Sequence, residues 1–507
     1  MQKYSLNQIA PVILTVLGLL LAIPMGRYVA QGQLLIPGMI IGAIFGTIFF
    51  LTLGRVYWYM IPFALASNLP AVPLGGRTIE LGELFIAACT AIFVARLTLK
   101  HERLVLFRAT HIPLLLSFAW ILLVFFLNPT GLIFFGSETI GGRYYVKILL
   151  AFCAFVVLAS QQPTAKDFER IILLVFLGVL AGTALSLFKA FFLGIRGDAE
   201  LSLDAYSWHQ VLAEPALVGT WYLFARYKTS DLFSAQRPWG ALLYLLAVAI
   251  ATMSGKRMGL ALVLVAPFLG AFLHKEYGKI WLGALLGIVT TSILVMGQGT
   301  FFNLPFSAQR ALSWIPADWE PGLKDLGTRD TFREQLRDWA WRAIKESPWI
   351  GKGYALNLGE VSLGISMTEG NVQGDSIQTL SYAIAKNWHN RWLGYTADFG
   401  IPYTAMLPFL YGVALIVSFR LARGLPYQSG QSIFAFYAFF LVVKLIATSH
   451  TSGHSGLDAF NTWWAYGLLY ALYEQYSSSS SSKELVTTPR NAQPNLDNET
   501  RKTSSCG

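Results

Sequence analysis

Three short stretches hold cationic and titratable side chains of the kinds that group-transfer chemistry uses. In Ser254-Gly255-Lys256-Arg257, two cations follow two small residues between apolar blocks. A guanidinium forks onto phosphate oxygens and an ammonium adds a point charge, so the pair fits a phosphorylated ligand. The plainer alternative is an exposed hairpin whose cations reach lipid headgroups. Arg329, Arg333 and Arg337 recur every four residues and share one helical face, with Arg342 further along. Asp330, Glu334 and Asp338 recur beside them, so a solvated, ion-paired face competes with a basic stripe that holds a pyrophosphate. His389, within Asn387-Trp388-His389-Asn390-Arg391-Trp392, stands just ahead of an apolar block. An imidazole there can exchange a proton near neutral pH, although a histidine at such a boundary is more often incidental.

Other candidates are peripheral. Trp388, Trp392 and Trp339 offer flat apolar faces with a polar edge for stacking on sugars, or simply an interfacial belt. Arg143, with Tyr144, Tyr145 and Lys147, opens a block and is a further phosphate contact. His209, Glu214, His450 and His454 lie near block ends and read as structural. Cys89 and Cys153 lie within apolar blocks and Cys506 in a polar tail, so the spacing implies neither a disulfide framework nor a metal site.

These residues need elements to hold them, and the composition says which kind. Of the 507 residues 54% are hydrophobic and 13% charged, with mean hydropathy +0.51, about half the charge of a soluble domain. The apolar residues fall into blocks of about the 20 residues that cross a bilayer as a helix. Candidate spans are 9–26, 34–53, 55–73, 79–97, 104–127, 144–160, 168–193, 209–226, 238–253, 256–273, 280–297, 394–422, 431–450 and 457–475. The first reads as a retained span rather than a removed signal peptide. The stretch 55–73, with Pro62, Asn68 and Pro70, is the weakest and suits a re-entrant or half-length element. The expected fold is therefore an all-α polytopic integral membrane protein with about 12–14 transmembrane helices.

The net charge of +10 is explained by short loops rather than by nucleic acid. Arg96, Lys100 and Arg103, Lys166 and Arg170, Arg226, Lys228 and Arg237, Lys275 and Lys279, and Arg420 and Arg423 fall in alternate loops. The positive-inside rule puts that set, and with it both termini, in the cytoplasm. The loops 128–143, 194–208 and 450–456 and the long segment 298–393 then lie outside. The chain thus divides into N-terminal spans (1–297), an external loop (298–393), C-terminal spans (394–476) and a tail (477–507). The loop carries seven of the 15 tryptophans, an aromatic content that argues for folded structure. The spacing predicts an amphipathic helix over 329–346, stopped by Pro348 and Gly351, and a polar, Gly-rich stretch over 356–380. The serine-rich tail reads as disordered.

Three stretches in order resemble the O-antigen ligase and O-antigen polymerase superfamily of bacterial membrane glycosyltransferases. Ser254-Gly255-Lys256-Arg257-Met258-Gly259 is similar to its Ser-Arg-Gly-type turn, with Lys256 interposed. Phe332-Arg333-Glu334 through Trp339-Ala340, then Pro348-Trp349-Ile350-Gly351-Lys352-Gly353, is similar to its loop motif. His389-Asn390, Gly394 and Asp398-Phe399-Gly400 are similar to its His-Asn motif. The similarity covers about residues 200–470. It implies a GT-C-like architecture whose loop faces the periplasm across the inner membrane. It further implies glycan transfer from a polyprenyl-diphosphate donor to a glycan, a lipid-A core or a protein. By position it assigns Arg257, Arg333 and His389 to the reaction, with Arg337 in reserve and Lys256 and Arg143 beside the diphosphate. Inversion at the anomeric carbon, with no metal or cofactor, is expected. Ligase and polymerase roles share this pattern. A lipid-linked oligosaccharide flippase is the alternative from another class, but that would favour repeated halves and short loops.

Overall fold

Backbone N–H and C=O groups placed in lipid have no water to bond, so apolar blocks fold as helices that pair these groups internally. The computed structural model describes residues 53–67, 71–73, 78–105, 108–130, 142–192, 211–234, 236, 238–313, 315–320, 331–354, 388, 390–449 and 460–487. The chain divides into two units, Met1–Met60 and Ile61–Gly507. In the first, the described residues form a 3-10 turn over Gly54–Tyr59. The expected spans 9–26 and nearly all of 34–53 lie outside the described residues.

From Met60 onward the elements are α1 (Met60–Ser67), β1 (Ala71–Pro73), β2 (Thr78–Glu80), α2 (Leu81–Thr98), α3 (Ile112–Leu127), α4 (Gly142–Ala159) and α5 (Ala165–Phe192). Next come α6 (Ala213–Arg226), α7 (Thr229–Leu232), α8 (Pro238–Met253), α9 (Arg257–Leu273), α10 (Tyr277–Gly297) and α11 (Phe306–Leu312). The last are α12 (Thr331–Glu346), α13 (Arg391–Gly424), α14 (Gly430–Thr448) and α15 (Trp463–Thr487). Among the described residues seven helices are long and apolar enough to cross a membrane, and α8 and α9 are shorter apolar helices. The protein is an all-α polytopic membrane protein. Its described strands are one antiparallel pair, with Ala71 opposite Glu80 and Pro73 opposite Thr78.

Within the stretch 55–73 the 3-10 turn Gly54–Tyr59 runs directly into α1. With 8 residues, α1 rises only about 12 Å before the chain turns into the hairpin. The loop helix begins at Thr331 and ends at Glu346, at its expected end; residues 329–330 and 355–387 lie outside the described residues. The last helix runs to Thr487, ten residues beyond the expected start of the polar tail at 477. Serine costs a helix only a few tenths of a kcal/mol per residue.

α14 is the most buried of the spans and packs against α5, α6 and α13, while α15 packs along α4. Trp221 of α6 stacks on Phe440 of α14 with ring centroids 6.0 Å apart. α10 lies outermost, with Trp281 79% and Met296 73% exposed, as befits a lipid-facing helix.

At the end of the bundle that carries the basic loops, side chains close the helix termini. Arg423 donates to the Phe272 carbonyl at 2.8 Å and lies over the Phe419 ring at 4.6 Å. Glu276 accepts the Thr229 N–H at 2.8 Å. His274 meets the Phe224 carbonyl through Nε2 at 3.2 Å and stacks on Phe436 at 4.4 Å. Burial holds the His274 imidazole below its ordinary range, and Lys228 adds to this; the Phe224 carbonyl, Glu276 and Asp231 oppose it. The unfolded chain therefore takes up the proton first. Stability is full above the ordinary histidine value, about 6.5, and falls as pH drops through it. Melting of the detergent-solubilised protein should shift downward between neutral and mildly acidic pH, and His274→Gln should flatten that dependence.

Candidate active site

The site begins with a break in a helix. Gly400 interrupts α13 with φ 81° and ψ 172°, and Pro402 supplies no N–H. The Ala397 carbonyl loses the Ile401 N–H, which turns to the Pro348 carbonyl at 2.9 Å. Both orphaned acceptors are met by the loop that follows α12. Lys352 N–H reaches the Ala397 carbonyl at 2.9 Å, and Gly353 N–H reaches that of Asp398 at 2.7 Å. Trp120 of α3 donates to the Phe399 carbonyl at 2.8 Å. The approach leaves no room for side chains. A Cβ at Gly351 would lie 2.5 Å from Asp398 backbone atoms, and one at Gly400 would fall on the Trp349 carbonyl.

The same loop is held from two further helices. Asn128, past the end of α3, donates to the Gly351 carbonyl at 3.2 Å. The Tyr145 hydroxyl of α4 accepts the Tyr354 N–H at 3.4 Å, and Tyr144 stacks on Tyr354 at 4.7 Å. Asp398 is buried beside these phenols. Burial, and then the nearby Asp398, pushes the Tyr354 hydroxyl well up from its ordinary range, so it stays protonated.

The N-terminus of α13 is fixed as firmly. The Asn390 side chain caps it, accepting the Leu393 N–H at 3.2 Å. Arg391 is buried; its N–H meets the Ser449 carbonyl at 2.8 Å, and its guanidinium meets the Leu445 carbonyl at 3.0 Å. A cation thus closes the negative end of α14. Trp388 is buried with Ala340 and Ile344 of α12 and Ala397 of α13, and Trp339, Ala343 and Leu393 pack around them. The loop helix is thereby docked beside the residue that precedes His389.

A second series of contacts runs from Arg391 to the Ser254–Arg257 turn. Lys444, next to Leu445, pairs with Glu214 of α6 at 2.9 Å. Beside Glu214, the Ala213 Cβ lies 3.4 Å from where a Cβ on Gly259 would stand, and that position is 3.5 Å from the Lys256 Cβ. Lys256 precedes α9 as its N-cap and Arg257 is its first residue. Arg257 Nε donates to the Arg310 carbonyl of α11 at 3.3 Å. The Ser254 hydroxyl accepts the Lys256 N–H at 3.3 Å, which shapes the turn.

Of the residues singled out in the sequence, Arg257 is exposed and Lys256 half-buried at this turn. Arg333 belongs to α12 by its backbone, but its side chain lies outside the described residues, as do His389, Arg329, His209, His450 and His454. Arg337 and Arg342 are exposed. Arg143 was expected beside the diphosphate. The structure sets it 3.6 Å from Glu80 and 3.7 Å from Glu83, with Lys147 2.5 Å from Glu80. Those carboxylates lie 60 and 63 residues earlier in the chain. Trp388 was expected to stack on sugar, but packing occupies its ring; Trp392 and Trp339 remain half-buried. Sequence reasoning passed over Arg391, Lys444 and Arg310. Lys444 had a usable signal as the one charged residue in the apolar block Gly430–Thr448.

Residues 241–408 match the family model described as O-Antigen ligase. No curated protein matches the chain. Among solved structures, a chain from "Structural coordination of polymerization and crosslinking by a peptidoglycan synthase complex" is similar at 15% identity with TM-score 0.38, over 72% of this chain and 97% of that one.

Because the loop and α13 meet backbone to backbone, Gly351→Ala and Gly400→Ala should each cost about 1–3 kcal/mol from the left-handed backbone alone. The measurement is a thermal melt in detergent. Ala substitution at Gly287, where an added Cβ meets nothing, is the neutral comparison.

Proposed function

We propose that this chain, a member of the O-antigen ligase and polymerase superfamily through residues 241–408, moves a glycan from a polyprenyl-diphosphate carrier to an acceptor hydroxyl. We place the reaction at the periplasmic face of the inner membrane, with 298–393 as the external loop between two sets of spans, the 477–507 tail cytoplasmic and both termini inside. The observation that carries the reading is the continuity of contacts among the three motifs. Trp388, next to His389, packs on Ala340 and Ile344 of α12. Arg391, two residues on, leads through Lys444 and Glu214 to the turn that bears Arg257. Arg333 and Arg337 precede Ala340 and Ile344 by seven residues each along α12. Arg337 is exposed, and Arg333 is taken as the working cation by its place in the motif, with Arg337 in reserve.

The chemistry follows from the charges. The acceptor oxygen attacks the anomeric carbon while the bond from that carbon to the diphosphate oxygen breaks, which inverts the configuration. The hydroxyl proton passes to the His389 imidazole, and the leaving polyprenyl diphosphate takes the electron pair of the broken bond. Arg257 and Arg333, with Lys256 beside them, face the charge that develops there. Fixed guanidinium groups supply this stabilisation without a metal. The carrier's isoprenoid tail lies between spans, and Trp392 and Trp339 offer ring surface to the sugar.

Reconstitution with a polyprenyl-diphosphate-linked glycan tests the reading. Arg257→Ala, Arg333→Ala and His389→Ala should each lower transfer at least about a hundredfold, with the protein still inserted and folded. Full transfer by all three variants would refute the assignment. A lengthened lipid-linked glycan in the same assay identifies a polymerase, and a glycan on a new acceptor identifies a ligase.

A further inference from the structure

We propose that the outward face at the C-terminal end of α12 binds a glycan chain that bears acidic groups. Trp341 and Trp349 lie under its sugar rings, and Arg342 and Lys345 meet its carboxylates or phosphates. This names the substrate class of the proposed transfer and rests on that reading. α12 buries Leu336, Ala340 and Ile344 and turns its other side outward. Trp341 is 49% and Trp349 66% exposed, and Arg342 and Lys345 are exposed between them. Lys345 follows Trp341 by four positions and Arg342 by three, so the three side chains are neighbours on the helix surface. Trp349 comes four positions later, just past the helix end at Glu346. Among the described residues neither Arg342 nor Lys345 forms an ion pair, and the adjacent Glu346 is taken by Lys352.

The face is held in place by what lies behind it. Ala340 and Ile344 pack on Trp388 and Ala397, the Ser347 hydroxyl donates to the Gly351 carbonyl at 3.0 Å, and the Gly351 N–H returns to the Ser347 carbonyl at 3.0 Å. Indole faces stack on sugar rings, and a guanidinium forks onto a carboxylate or phosphate. Unpaired cations beside two exposed rings therefore complement an acidic glycan in both charge and shape. A lipid surface fits less well. A helix that enters an interface offers its aliphatic side, and here that side is buried in the protein. The outward side also carries Glu334 and Asp338, both exposed, and a flat anionic membrane would meet them together with the cations. A chain that crosses only the end of the helix avoids them. On the proposed reading the diphosphate meets Arg333, eight positions before Trp341, about 12 Å of helix rise. A chain of a few sugars attached there reaches the face.

The probes are an oligogalacturonate and a malto-oligosaccharide of equal length, titrated calorimetrically into the full-length protein in neutral nanodiscs, with phosphatidylglycerol vesicles as a third probe. The unmodified protein should bind the acidic chain more tightly than the neutral one, and added salt should narrow the gap. Trp341→Ala should weaken both oligosaccharides about tenfold. The double variant Arg342→Gln with Lys345→Gln should weaken the acidic one alone, again about tenfold. All three positions are exposed, so melting temperatures should not move; Trp349→Ala replaces Trp341→Ala if that variant melts early. Binding unchanged in the ring and the double variants overturns the inference. So does equal binding of the two oligosaccharides, or binding of neither. Vesicle binding that falls in the variants while neither oligosaccharide binds assigns the face to a membrane surface and also overturns it. These outcomes leave the functional reading standing, because transfer through Arg257, Arg333 and His389 is measured separately. Undiminished transfer by those three variants, with oligogalacturonate binding lost in Trp341→Ala, refutes the functional reading and keeps the glycan face.

Discussion

A helix broken within a membrane-embedded bundle must find partners for the carbonyls it frees, because lipid offers none and each orphaned group costs several kcal/mol. At Gly400 the donors come from the Pro348–Tyr354 loop, and this exchange governs much of what surrounds it. The Ile401 N–H goes to Pro348 and the Ala397 and Asp398 carbonyls go to Lys352 and Gly353. The two segments thus complete each other's backbone and neither is satisfied alone. The loop stays registered to within one residue because a slip would leave donors opposite donors. α12 ends only a few residues before this splice, so its orientation is inherited from it.

The charges near the same end couple the helices in a second way. An ionisable side chain in a span is stable only when answered by a partner. The Arg391 guanidinium is answered by the Leu445 carbonyl at the end of α14, and Lys444 by a carboxylate on α6. These pairings tie α13, α14 and α6 together within a few turns of the turn that precedes α9. A site assembled from α9, α12 and the start of α13 then sits on helices whose relative positions are fixed by electrostatics as well as by packing. On the proposed reading, such preorganisation would serve the charge that develops on a departing diphosphate.

The helices were largely legible from apolar blocks, because span length is set by bilayer thickness and read directly from composition. The end of α12 was legible too, since Glu346 is followed by Pro348 and Gly351. The break at Gly400 was not. Within an apolar block, Asp398, Gly400 and Pro402 read as one span with blemishes, and nothing local reveals that donors arrive from some fifty residues upstream. Arg143 illustrates the same limit: as a cation opening a span it suits a phosphate, and only the fold brings Glu80 and Glu83 to it. Trp388 reads as a sugar platform because residue type carries no exposure, whereas Ala340 and Ile344 bury its ring. His389 and Arg333 stand out by motif order alone, and their side chains lie outside the described residues.

The anchors of this corner share a property that the motifs obscure. Arg257 holds a main-chain oxygen of Arg310, Arg391 holds main-chain oxygens of Leu445 and Ser449, and the loop holds α13 through amides. Each attachment has a backbone acceptor that survives any substitution at the accepting residue. Geometry at these attachments is therefore set by a few donors and glycines. The constraint falls on Gly351, Gly400, Arg257 and Arg391.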